Sequence, residues 1–597
     1  VSRLLGAALI AAAACSQPAP ESRKESIVVT GTWEPVPAEE ADRSVRSIPV
    51  EKARLLANTF VDFLRLDPSL DLRQRAPNGV QADLSIRGGT FGQTLVLLDG
   101  MRLNDPQSGH HSLDLPVPLE AISRIEVLRG SGSANYGSDA VAGVVNIVTE
   151  RAEAPELRLR GGIGNFGVNQ QRASLAFGSG RWYQTLLFSR DFSTGFRPNR
   201  DYRNLILSSI SRARSRLGWS NVTLGYADKP FGADQFYGNF PSWENTKTWF
   251  AGGRQELGSK TEATFAFRRH SDLFVLYRDR PQVYHNHHAT RSWQGILRRR
   301  EQLASNVRLY YGGEGFADDI VSTNLGNHSR RRGAAYGTLD VRALQRFSFT
   351  VGAREEIYGR LQSQFSPTAS AAYWLGEGWK IRASASRAFR VPTYTELFYS
   401  DPANLGNPAL RPETGWTYEG GLDWFGGGDR RWRAEAILFH RRERDGIDYV
   451  RPSPLARWQA VNIQRLRFTG VETSLGFRAG RSQDLDFRYT AMRGVAAELE
   501  GLQSKYVFQY PVHSGVFQWQ GTLPASFVGR ARVGGLQRRR QDAIALVDLY
   551  LVRTGRRVQP FLQATNVTNT SYEEIPGVAM QGRAIVGGVE IIVRLRR

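Results

Sequence analysis

Three runs decide how this chain folds: LSIRGG (Leu84–Gly89), LVLLDGMRLNDPQSGHH (Leu95–His111) and ISRIEVLRGSGSANYGSDAVAGVVNIVTE (Ile122–Glu150). They hold short apolar strands punctuated by glycine. Val96-Leu97-Leu98 runs into Asp99-Gly100, a dipeptide suited to a tight turn. Ile125 and Val127 alternate with Arg124 and Glu126 at the period of a strand, and Val144–Val148 closes the series as a buried strand. Upstream, Leu55, Leu56, Phe60, Phe63 and Leu64 have helical spacing over Val50–Leu66, and Pro68 ends the run. The reading is a small α/β module. In a free module Arg87, Arg124, Glu126 and Arg129 form a solvated face. In an enclosed one they pair with the enclosing wall, which fixes orientation more than it adds stability.

The order of the blocks IRG (Ile86–Gly88), LLDGMRLND, IEVLRG and ANYGSDAVAGVVNIVT resembles the plug domain of TonB-dependent outer-membrane receptors. Further blocks are similar to the same family. Phe389–Phe398 (FRVPTYTELF), with Gly406-Asn407-Pro408 and Leu410–Thr414, looks like its mid-barrel signature. Asn566–Asn569 with Tyr572, Pro576-Gly577 and Gly582-Arg583 looks like its penultimate hairpin. Gly588–Val593 has the pattern of a closing strand, followed by Arg594-Leu595-Arg596-Arg597 where the family pattern has a terminal aromatic. The resemblance implies an all-β transmembrane fold: a 22-stranded antiparallel barrel with an N-terminal α/β plug in its lumen.

Composition agrees. At 597 residues the chain is long enough for two or three domains, and at 41% hydrophobic and 23% charged it is not disordered. After residue 14 no apolar run approaches the roughly 18 residues of a spanning helix, which leaves strands as the means of crossing. From about residue 155 the texture is alternating: Leu157, Leu159 and Ile163 share one parity, Arg158 and Arg160 the other. Divided among 22 strands, 151–597 gives about 20 residues per strand and connection. Trp182-Tyr183 and Trp432 sit where interfacial aromatics belong. The single cysteine, Cys15, excludes an internal disulfide. The net charge of +21 is carried mostly by arginine, a fork that suits lipopolysaccharide phosphate or an anionic ligand. No nucleic-acid module accompanies it, and arginine-rich codon usage explains the charge equally well.

The N-terminal part reads as export and coupling. Residues 1–15 read as a cleaved signal peptide, and Ala-Ala-Ala-Cys15 resembles a lipidation signal. Residues 16–40 read as a periplasmic tail. In it Ser26, Ile27, Val28, Val29 and Thr30 form one β-prone island, which resembles the TonB box, the segment that adds a strand to the periplasmic TonB transducer of the inner-membrane proton-driven complex. A plug at 41–150 and a barrel at 151–597 follow.

No Gly-x-Ser-x-Gly elbow or His-Glu-x-x-His helix is present, so the expectation is binding and gating, not catalysis. Candidate ligand residues are Asn104, Asp105, His110 and His111 in the plug. Phe231, Phe236, Tyr237 and Trp243 are candidates in the aromatic run Lys229–Trp243, read as a loop, and His285 and His287 in Tyr284–His288. These loops resemble the branch containing the outer-membrane cobalamin transporter. A corrinoid cargo is therefore expected, with a ferric siderophore as the alternative and a passive porin or an adhesion or signalling receptor as the competing class. No covalent cofactor is expected. The Asp-rich calcium loop of that transporter has no counterpart here, which leaves calcium and any other metal open.

Overall fold

The computed structural model describes residues 27–28, 36–150 and 154–595, apart from 345, 360–361, 481, 497–498, 500, 540 and 556. Twenty-two antiparallel strands run from Glu156–Gly164 to Ala584–Arg594, and these two close the cylinder on each other with Leu159 opposite Ile591. Alternation is inverted relative to a water-soluble sheet. Along Pro241–Leu257 the side chains of Ser242, Glu244, Thr246 and Thr248 are buried inside, while Trp249 on the other parity is 49% exposed. Leu159, Phe265, Leu438, Phe487 and Leu562 extend this outward belt. In water such a belt is an aggregation hazard; against acyl chains it is the matched surface.

Glu156 and Arg594 lie side by side at the rim where the connections are short, such as 180–181 and 480–482. The other rim carries the long connections 391–412, 445–465 and 496–510, and long loops mark the outward face of such barrels. Over it Asn404–Leu405, Trp458–Ile463, Gly446–Arg451 and Gln503–Ser504 form a four-stranded cap sheet.

Inside the cylinder, Val45–Pro49, Ile122–Arg129, Gly143–Thr149, Thr94–Leu98 and Met101–Arg102 make a five-stranded sheet in that order. Asp99 (φ 50°) and Gly100 (φ 84°) are both left-handed, as a two-residue hairpin turn requires. Val96, Leu98, Ile125, Val127, Val145 and Ile147 are at most 1% exposed, each contributing about 1.5–3 kcal/mol by burial. The single helix expected over Val50–Leu66 is two pieces, a 3-10 turn Glu51–Leu56 and an α-helix Phe60–Leu64. The break has a local cause. Thr59 and Asp62 form a capping box, and Asp62 accepts from the backbone of Asn58 (2.8 Å) and Thr59 (3.0 Å), which restarts the helix there.

The seam between plug and wall is charged. Arg87 donates to Glu472 at 2.6 and 2.9 Å and also to Glu419; Arg129 donates to Glu472 at 2.9 Å. Arg538 grips Asp71 at 2.6 Å, and Arg172 reaches Glu120 at 3.1 Å. Arg124 stays within the plug, 2.8 Å from Glu126. Of the four plug charges of the enclosed reading, Arg87 and Arg129 meet the wall, while Arg124 and Glu126 pair with each other. The seam also has an apolar side, where Leu187, Phe250, Val552 and Phe561 of the wall join the plug's own buried cluster, so the charges set orientation beside a continuous apolar contact.

At the short-turn rim Lys380 donates to the carbonyls of Glu39 (2.6 Å) and Ala41 (2.9 Å), and Arg430 pairs with Glu39 at 2.7 Å. The chain ahead of the plug is therefore moored at that rim. Ile27–Val28 form a two-residue ladder with Val36–Pro37. Ser26, Val29 and Thr30, like residues 1–15 with Cys15, lie outside the described residues.

Candidate ligand platform and coupling segment

Three plug segments reach the long-loop rim: the hairpin tip between Leu70–Ala76 and Gln81–Ile86, the stretch around Phe91, and the loop 103–118. The last is held from two sides. The backbone N–H groups of Tyr394 and Thr395 donate to the carbonyls of Pro106 (3.0 Å) and Gln107 (2.9 Å). Thr393 caps the helix Tyr394–Phe398 there with Glu396, and Arg390 holds Glu396 and Glu413 at 2.8 and 2.5 Å. The FRVPTYTELF block is thus a dock for the plug loop. From the opposite side Arg268 grips Asp105 at 2.7 Å.

A 3-10 turn at Gly109–His111, capped by Ser108, sends the two histidines in different directions. His110 stacks on Phe91 (centroids 4.2 Å apart), Phe91 meets Tyr506 edge-on at 5.0 Å, and His110 Nδ1 lies 2.8 Å from Asp83. Asp83 also faces Arg75 at 3.3 Å, and Arg75 lies over Tyr237 at 5.7 Å. Burial raises the Asp83 carboxyl, but His110 and Arg75 outweigh it and hold it at about 2. A row of aromatic and charged groups, Tyr237–Arg75–Asp83–His110–Phe91–Tyr506, therefore crosses the mouth of the barrel. Gly109 is required there: a Cβ would stand 2.4 Å from Phe91 Cδ2.

His111 turns the other way, into the wall. Its ring is 4.6 Å from that of His270, with Nδ1 3.5 Å from Asp114 and Nε2 3.6 Å from Asp272. Burial pushes its pKa down, and the carboxylates of Asp114 and Asp272 more than reverse this, so it sits well above the ordinary range. His111, Asp114 and His270 have ligand atoms close enough to share an ion.

The other candidates separate. Asn104 spends its amide on Val96 N–H (2.7 Å) and the Thr94 carbonyl (3.0 Å). Lys229–Trp243, read as a loop, is mostly strand: Trp219–Asp234 and Pro241–Leu257 leave only 235–240 between them. Phe231 (1% exposed) and Phe236 (7%) pack with Ala76 and Val80 to wedge the hairpin tip, leaving Tyr237 outermost, its hydroxyl on Glu244 at 2.6 Å. Trp243 shares the outward parity of Trp249, and His285 and His287 are exposed on the parity opposite buried Asn286 and His288. Strand alternation, invisible in a run read as loop, parts these three from the lumen. Phe91, Asp83, Arg75 and Tyr506 escape a reading of the sequence: the first three look like plug framework, and Tyr506 is remote along the chain. The apolar grooves lined by Leu159, Phe188 and Ile591, and by Leu186, Leu224 and Trp249, lie on the outer belt and face lipid.

A barrel closed around a plug, a platform at one rim and the N-terminal segment moored at the other define a gated transporter. A family model for the TonB-dependent receptor-like β-barrel matches residues 156–569, and one for the TonB-dependent receptor plug domain matches 37–144. The chain belongs to the TonB-dependent receptor family, whose members are outer-membrane transporters and receptors, not enzymes. The vitamin B12 transporter BtuB of Photobacterium profundum is 24% identical over 558 residues, 89% of either chain. Among solved structures, the siderophore receptor PirA from Pseudomonas aeruginosa (18% identity, TM-score 0.70) and the copper transporter OprC (14%, TM-score 0.78) each match over 92% of this chain and 99% of theirs. At those identities the likeness is one of fold.

Proposed function

We propose that this chain imports a corrinoid, taking cobalamin from outside onto the platform at the long-loop rim and passing it inward under force from TonB. Family membership already sets the passive pore aside. The observation that carries the corrinoid reading is the vitamin B12 transporter relative, whose likeness spans 89% of both chains. The platform suits the chemistry. Phe91, Tyr506 and Tyr237 offer flat apolar faces to a broad ring, and His110, Asp83 and Arg75 offer donors and acceptors for its amide rim.

Coupling is assigned to Ser26–Thr30, which adds a strand to the periplasmic domain of TonB. Cargo binding shifts the population towards the state in which this segment is taken up, and that requires tighter binding in that state. Calorimetric titration of the purified protein with cobalamin and with a panel of ferric siderophores tests the cargo. Saturable cobalamin binding, weakened in His110→Ala, is expected; heat from an iron chelate and none from any corrinoid overturns it.

A further inference from the structure

We propose that His111, Asp114 and His270 form a transition-metal site that clamps the apical plug loop to the barrel wall. Their ligand atoms all lie within 4.8 Å of one another. His111 Nδ1 is 3.5 Å and His270 Nε2 3.3 Å from the same oxygen, Asp114 Oδ2. Charged hydrogen bonds are shorter, about 2.7–2.9 Å. Two ligands held at about 2.1 Å from a tetrahedral ion instead stand about 3.4 Å apart, as these do. His111 Nδ1 is buried, makes no hydrogen bond and faces this cluster, while His270 Nε2 keeps a long hydrogen bond to Asp114 that an ion would replace.

The outer atoms complete the pattern. Each histidine turns its other ring nitrogen to a separate carboxylate: His111 Nε2 lies 3.6 Å from Asp272 and His270 Nδ1 2.8 Å from Asp105. Neither contact is a hydrogen bond as it stands, the first being too long and the second off the line of donation; drawn in around an ion, carboxylates behind ligating imidazoles fix the tautomer and raise ligand basicity. Carboxylate surrounds the cluster: Asp105 pairs with Arg268 and Asp114 with Lys229, while Asp272 and Glu244 hold ligand atoms within 4.8 Å of one on His111. Two nitrogens and one carboxylate suit zinc, cobalt or nickel, and disfavour calcium, which takes six to eight oxygens. Two ligands come from the plug and one from the strand Thr261–Val275, so the ion cross-links the two bodies beside His110.

The clamp is independent of the cargo, and its test uses none. Tag-free protein in detergent is stripped with chelator, reloaded with Zn2+ or Co2+, desalted and analysed for metal. About one ion per chain is expected, with ligand-field bands of a histidine–carboxylate Co2+ site and a metal-dependent rise in thermal stability. His270→Gln, which keeps a polar group in place, and Asp114→Asn should lose all three. His285→Ala/His287→Ala should keep them. Heat-modifiable gel mobility confirms that each barrel is folded. No retained ion in the unmutated protein, or equal retention in His270→Gln, overturns the proposal.

Discussion

Arg87 is the point at which the plug's orientation is most exposed to a single substitution. Its side chain is 1% exposed, lies 4.4 Å over the Phe439 ring, and neutralises Glu472 and Glu419, whose side chains are each 4% exposed. Arg87→Met keeps the apolar stem and removes the charge, leaving Glu472 to Arg129 at 2.9 Å and Glu419 to the more distant field of Arg43. Removing one member of a buried ion network costs about 3–5 kcal/mol, whereas replacing the network by neutral groups of similar size is close to neutral. The population of plug-open states should therefore rise by roughly 10²–10⁴-fold in Arg87→Met. Adding Glu419→Gln and Glu472→Gln should return most of it. Hydrogen exchange in detergent reads this directly, with Thr94–Leu98 as the plug reporter and Pro241–Leu257 as the barrel control. A change below about tenfold at Thr94–Leu98, or a triple variant as labile as the single one, refutes the view that this charge cluster sets the seam.

Two further outcomes follow from the platform and the cap. Gly109→Ala puts a Cβ 2.4 Å from Phe91, so the ring must leave His110; cargo affinity should fall about tenfold or more while barrel melting stays unchanged, and calorimetry with a melting curve checks both. Asp448 accepts from the Tyr506 and Val507 amides in the cap, and burial pushes its carboxyl from 3.8 up to about 6 despite those bonds. A raised acid stabilises the fold when protonated, so cap stability is highest below about pH 4 and is lost as pH rises through about 6, by on the order of 3 kcal/mol. Exchange at Tyr506 and Val507, corrected for intrinsic rates, should accelerate over that window; rising protection contradicts it.

How much of this is legible in the sequence differs between parts for physical reasons. The plug strands, the Asp99-Gly100 turn and the barrel come through because strand period and turn chemistry are local. The helix over Val50–Leu66 reads as continuous because apolar spacing outweighs the capping box at Thr59. Of the ligand candidates, His110 and Tyr237 reach the platform. Trp243, His285 and His287 do not, since a one-residue change of parity moves a side chain from lumen to outer face. His270, Asp272 and Tyr506 carry no local signal. They matter only because closure of the barrel brings strands far apart in sequence onto one plug loop.

Energy-coupled corrinoid import is measured by the uptake of labelled cobalamin by cells with this chain as their sole outer-membrane receptor. Import should be saturable and should vanish both without TonB and in Ile27→Pro, which places a residue lacking a backbone donor in the pairing segment. Surface binding of cobalamin should persist in both. Import that continues unchanged without TonB, or cells that bind no cobalamin at all, would contradict energy-coupled corrinoid transport by this chain.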